Sequence, residues 1–168
     1  MIRSVAFSAF ILPLVPALIG AAGTSPKMAP LQFLVGTWHC STTGTLNGKA
    51  RKPLTTTLTI KPAGAWLDMI DSSQPTGFAR FGYDKNNGKY VMVSTSPDGG
   101  YYIDPLTVQK GTITFGARSI ANDTPDDIDS KGQLVLKSPS KIQYSGSGIS
   151  ASGKDKGKRY TSETVCTK

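Results

Sequence analysis

Two cysteines constrain this chain more than any other feature. Cys40 opens the first β-prone run, Cys166 lies two residues from the C-terminus, and the sequence between them is mostly short extended segments and turn signals. In an exported chain a disulfide is the default state of two cysteines. A bridge between the first and last strands is hard to reconcile with an open sheet. It is natural in an up-and-down barrel, where those strands pair and no edge is left unpaired.

Export is read from the N-terminus. Met1-Ile2-Arg3 is a short positive region, Val5 to Ile19 is almost wholly apolar, and Gly20-Ala21-Ala22 offers small residues for cleavage after Ala22. Residues 1–22 are therefore expected to be a signal peptide, 23–30 a short tether and 31–168 a single β-barrel domain. Pro13 and Pro16 argue against a spanning helix, and no cysteine follows the cleavage region to take a lipid. The expected location is periplasmic or extracellular, with no stable membrane insertion after cleavage. Without Arg3 the chain has 18 basic and 11 acidic residues, a formal charge of +7. The one basic cluster, Lys154, Lys156, Lys158 and Arg159, has Asp155 within it and no interleaved aromatics. It reads as a solvated hairpin, and no nucleic-acid partner is expected.

From Gly36 onward the pattern is alternation between turn signals, with almost no helical periodicity. Strands are expected at about residues 37–46, 53–60, 65–72, 77–83, 90–96, 101–108, 112–118, 133–137, 141–147 and 159–167. This makes an all-β, antiparallel up-and-down barrel of eight to ten strands, the first and last paired. Asn47-Gly48 is a strong hairpin signal. Pro105 predicts a bulge or break. Residues 119–132 form the longest expected connection. A helical turn over 29–34 is expected to plug one barrel end with Phe33 and Leu34.

Alternation then sorts the faces. With Cys40 and Cys166 on one side, Trp38, Thr42, Tyr160, Ser162 and Thr164 join them inside, and His39 and Glu163 face out. Leu58, Ile60, Ile113, Phe115, Leu134, Leu136, Ile142 and Tyr144 complete the expected inward set. Trp66, Tyr90, Met92 and Tyr144 are the candidate ligand contacts, since aromatic bodies with polar tips suit a semi-polar lumen.

No catalytic set is visible. There is one histidine and no Ser/His/Asp or Cys/His dyad at a recognisable spacing, so no catalytic residue is assigned. Asp68, Asp71, Arg80 and Glu163 are the only polar groups to nominate for an enzyme site at the barrel mouth. No zinc-type cluster occurs, and no metal site is assigned. Two acidic stretches invite a calcium reading. Asp84-Lys85-Asn86-Asn87-Gly88 has the oxygen spacing of the start of a calcium loop but lacks the distal glutamate. Asp123, Asp126, Asp127 and Asp129 place four carboxylates within seven residues, a minor calcium alternative to a solvated loop.

Three motifs in order carry a family resemblance: Leu34-Val35-Gly36-Thr37-Trp38, then Ala65-Trp66-Leu67, then Gly82-Tyr83-Asp84 through Lys89-Tyr90, with Pro97-Asp98-Gly99 as the following turn. Together they resemble uncharacterised bacterial lipocalin-like (calycin-type) secreted domains. Gly36-Thr37-Trp38 is also similar to nitrobindin-type haem barrels. Their axial histidine lies near the C-terminus, where this chain has none. The resemblance implies a barrel and a cavity but no established activity, and no cofactor is expected. The expected function is therefore an exported carrier of a small apolar or amphipathic ligand. The alternative is a non-catalytic envelope-interaction module with a filled barrel and a basic surface. Oligomeric state is left open.

Overall fold

The computed structural model describes residues 25–74, 76–95, 100–116, 119–120, 127–151 and 153–168. The signal-peptide reading of residues 1–22 and the turn at Pro97-Asp98-Gly99 lie outside them. A 3-10 helix, η1 (Pro26–Leu34), is followed by twelve strands: β1 (Gly36–Leu46), β2 (Lys49–Ala50), β3 (Leu54–Ala63), β4 (Trp66–Asp71), β5 (Ala79–Asp84), β6 (Lys89–Thr95), β7 (Tyr101–Gln109), β8 (Thr112–Phe115), β9 (Ser119–Ile120), β10 (Asp127–Ser138), β11 (Lys141–Ser150) and β12 (Arg159–Thr167). A second short 3-10 turn, η2 (Gly153–Asp155), precedes β12.

Ten of these strands close an antiparallel ring in sequence order: β1, β3 to β8, and β10 to β12. β2 folds back on the far end of β1, and β9 pairs with β7. Closure is made by β1 and β12, from His39↔Thr167 to Leu46↔Tyr160. Cys40 stands directly opposite Cys166 in that register, and the two are disulfide-bonded with Cα atoms 4.0 Å apart. Inside the seam the Thr42 and Thr164 hydroxyls hydrogen-bond at 2.8 Å. His39 and Glu163 are exposed on the outside.

Local sequence explains the turns. Asn47 and Gly48 both have positive φ, 48° and 75°, which is the two-residue turn that matches strand twist. Pro105 does not break β7, whose pairing with β6 runs unbroken from Tyr90↔Leu106 to Thr95↔Tyr101. The interruption falls on the other side. The β8 ladder stops at Leu106↔Phe115, beyond which the Gly116 amide donates to the Pro105 carbonyl at 2.8 Å, and pairing resumes with β9 at Ile103↔Ser119. Proline lacks the amide that a continuous ladder there would need.

The long acidic connection expected over residues 119–132 is not one loop. β9 and the first turn of β10 lie within it, and Asp127 and Asp129 belong to β10. Composition pointed to a loop, but pairing decides: Asp127↔Ser150 and Ile128↔Ile149 continue the β10–β11 ladder past a bulge. Asp129 occupies that bulge at φ 54°, a conformation aspartate tolerates better than most residues. Asp123 and Asp126, the other half of the calcium reading, lie outside the described residues.

The plug begins earlier than expected. η1 starts at Pro26, and its buried residues are Met28, Leu31 and Leu34, with Phe33 only partly buried. A three-residue period puts those three side chains on one face. Leu34 also anchors Trp38: the indole Nε1 donates to the Leu34 carbonyl at 2.7 Å, and Trp38 is wholly buried. Tyr90 ties the other end of the helix, its hydroxyl donating to the Lys27 carbonyl at 2.8 Å.

That tether titrates. The Tyr90 phenol is held above its ordinary value of 10.0, first by burial and then by the neighbouring Tyr83. Its contribution to stability is complete below pH ~10 and is lost as pH rises through the raised folded value. Tyr90→Phe is expected to cost about 1 kcal/mol at neutral pH through the lost hydrogen bond, and to flatten the alkaline fall in stability. Guanidinium midpoints for both proteins between pH 7 and 11.5 test this. Parallel curves across that range would refute it.

Candidate functional site

Inside the ring, away from the η1 plug, is a cavity of about 270 Å³. Its walls follow the pleat. β4 turns Leu67, Met69 and Asp71 inward, β5 gives Ala79 and Phe81, and β7 gives Asp104 and Leu106. Leu58, Met69, Phe81, Met92, Phe115, Leu134 and Ile142 make the apolar lining. The polar lining is Thr42, Thr56, Asp71, Asp104, Ser130, Lys131, Tyr144, Tyr160 and Thr164, and the cystine forms part of the wall. The Ser-Gly-Ser-Gly run on β11 has a steric purpose. A Cβ at Gly146 would lie 2.3 Å from the Tyr144 hydroxyl, and one at Gly148 would lie 2.6 Å from that of Tyr160. The glycines yield space to two lumenal tyrosines.

The four expected ligand contacts divide. Met92 and Tyr144 line the cavity. Tyr90 belongs to the plugged end, edge-on to Tyr83 at 5.2 Å. Trp66 lies on the outside of the barrel, because β4 parity gives the lumen to Leu67 and Met69. Its ring covers Gly82, where a Cβ would come within 2.1 Å, and the Arg80 guanidinium lies 5.7 Å from the ring centroid. Arg80 also pairs with Asp68 at 2.9 Å on that outer face, with both side chains 38% exposed. The polar groups nominated for an enzyme site thus do not converge: Asp68 and Arg80 are outside, Glu163 is exposed on β12, and only Asp71 reaches the lumen.

Asp104 is the lumenal group the sequence reading missed. It is 3% exposed, the only charged side chain in the buried set among the described residues. Its signal was present, since it shares inward parity with Tyr102 and Leu106. Asp71 is only half-buried but closely held. Thr56 Oγ1, the Ser73 amide and the Ser73 hydroxyl all donate to its Oδ1, the latter two at 2.7 Å. Elsewhere, Asp84 does no more than staple its hairpin. Its carboxylate accepts from the Asn86 amide at 2.9 Å and from the Asn87 side chain, and those bonds hold its pKa below the ordinary value. At the β11–β12 connection the Lys158 ammonium meets Asp155 at 2.8 Å, which lowers the Asp155 pKa in the same way.

No protein-family model matches the chain, and no curated protein does. Among solved structures, that of Rv2717c from M. tuberculosis superposes with a TM-score of 0.53 at 13% identity, over 86% of this chain and 98% of that one. The structure of EF1p2_mFAP2b bound to DFHBI has a TM-score of 0.39 at 14% identity, over 83% of this chain and 97% of that one, too distant to carry an argument. At these identities the likeness concerns fold alone. The fold is a closed ten-stranded antiparallel barrel.

Proposed function

We infer that this protein is an exported carrier of a small, partly apolar ligand held in the barrel lumen, akin to the uncharacterised bacterial lipocalin-like secreted domains. The observation that carries the reading is the 270 Å³ cavity with apolar walls and a hydroxyl- and carboxylate-bearing part. A concave pocket of mixed lining is the usual form of a small-molecule site. An apolar cavity of about 150 Å³ already holds benzene in another protein, so a phenyl group with a short arm suits this one. The disulfide supports export to an oxidising compartment.

Titration with 2-phenylethanol tests the reading, followed by amide and methyl NMR of the oxidised chain. The expected result is saturable shifts at Met92, Leu134 and Tyr144, abolished when Met92→Trp fills the lumen. Shifts confined to exterior residues such as Trp66 and Phe78, or no shifts at all, would overturn it.

A further inference from the structure

We propose that the lumen selects a ligand bearing a primary ammonium group on a small apolar body, with Asp71 as its counter-charge. The inference rests on the lumenal reading given above and adds the chemistry of the head group.

The argument starts from how Asp71 is held. All three of its hydrogen bonds, from Thr56 Oγ1, Ser73 N and Ser73 Oγ, fall on Oδ1. Oδ2 has no hydrogen-bond partner, and Asp71 forms no ion pair, among the described residues. Three donors on one oxygen fix the carboxylate's orientation, while the second oxygen keeps its full accepting capacity. A carboxylate that only capped its own turn would gain nothing from lining a cavity. This one does line it, next to Leu58, its direct partner in the β3–β4 register.

Asp104, nearly fully buried, lines the same cavity. Lys131 is the only basic residue on the lining among the described residues, and it is exposed. Hydroxyls of Thr42, Thr56 and Thr164 sit on the lining to accept the remaining ammonium hydrogens. An anionic head group would meet the Asp71 carboxylate, and a neutral hydroxyl would leave its charge unanswered. An ammonium makes the shorter, stronger charge-assisted bond in a low-dielectric site. Met69, Phe81 and Met92 provide the apolar surface for the ligand's body.

The test uses three probes of one shape on the oxidised chain: 2-phenylethylamine, 2-phenylethanol and 3-phenylpropionate, compared by calorimetry at pH 7. The amine is expected to bind at least ~10-fold tighter than the alcohol, with the carboxylate weakest. Asp71→Asn, with folding checked by thermal unfolding, is expected to bring the amine-to-alcohol ratio close to one. Leu58→Lys is the independent variant. Its tethered ammonium would stand across from Asp71 and is expected to remove the amine's advantage as well. Equal binding of amine and alcohol to the unmodified chain, or an amine preference that survives both substitutions, would overturn the proposal while leaving a lumenal carrier intact. If none of the three probes binds, the carrier reading itself fails.

Discussion

Replacing Cys40 and Cys166 together by alanine is expected to lower stability by up to about 5 kcal/mol, the loop-closure value for cysteines 126 residues apart. Delivered values are often lower, so a loss of about 2–5 kcal/mol is the working range. For a domain of this size that corresponds to a fall in Tm of roughly 5–15 °C. The contribution lies mainly in the unfolded chain, where the bridge would otherwise restrict the ensemble. Part is local, since both sulfurs are buried in the cavity wall and their removal enlarges it. Guanidinium unfolding of the double variant, beside the unmodified chain with and without reductant, measures the effect. The reduced unmodified chain should track the variant. A loss under 1 kcal/mol would mean that the β1–β12 ladder and η1 hold the ring closed unaided.

Trp38→Ala is expected to cost about 3–5 kcal/mol, the range for deleting a fully buried large aromatic. Three losses coincide at this position. The ring is wholly buried among the plug residues. Its Nε1 hydrogen bond to the Leu34 carbonyl links the barrel to the end of the helix opposite the Tyr90 tether. The Lys168 ammonium, 4.4 Å from the ring centroid, also loses its cation–π partner. Beyond global stability, η1 should loosen selectively. Amide exchange across Pro26–Leu34 should quicken more than exchange in β10 and β11, whose pairing lies elsewhere on the ring. Trp38→Phe should recover most of the packing but not the helix protection. Uniform quickening across the chain would show that Trp38 acts as ordinary core with no special tie to the plug.

Much of the barrel was legible because its signals are local or are fixed by one long-range pair. Once Cys40 faces Cys166, period-2 alternation assigns Trp38, Thr42, Thr164 and their neighbours without further information. The Asn-Gly turn, the Thr-rich β1 and β3, and the inward pairs Ile113/Phe115 of β8, Leu134/Leu136 of β10 and Ile142/Tyr144 of β11 agree with it. The site was less legible. Trp66 reads as a ligand contact by residue type, and only the parity of β4 and the bare backbone of Gly82 reveal an outer-face residue. Tyr90 has the right parity but the wrong height in the barrel, and height depends on strand stagger, which no local pattern encodes. Acidic composition suggested a loop where β10 in fact continues, because a neighbouring strand long enough to pair overrides weak propensity.

The seam also has a consequence for the order of folding. Every other contact in the ring joins strands close in sequence, whereas β1 and β12 are joined across nearly the whole domain. Loop-closure entropy delays that contact until the local hairpins have shortened the effective loop. Until then the sheet has two open edges, one of them the Thr-rich β1, and such edges template pairing with other chains. The sulfurs meet only when these edges meet. Oxidation of Cys40 and Cys166 therefore works as a latch on the last step of folding, and every chain whose two sulfurs are bonded is one whose open edges have met.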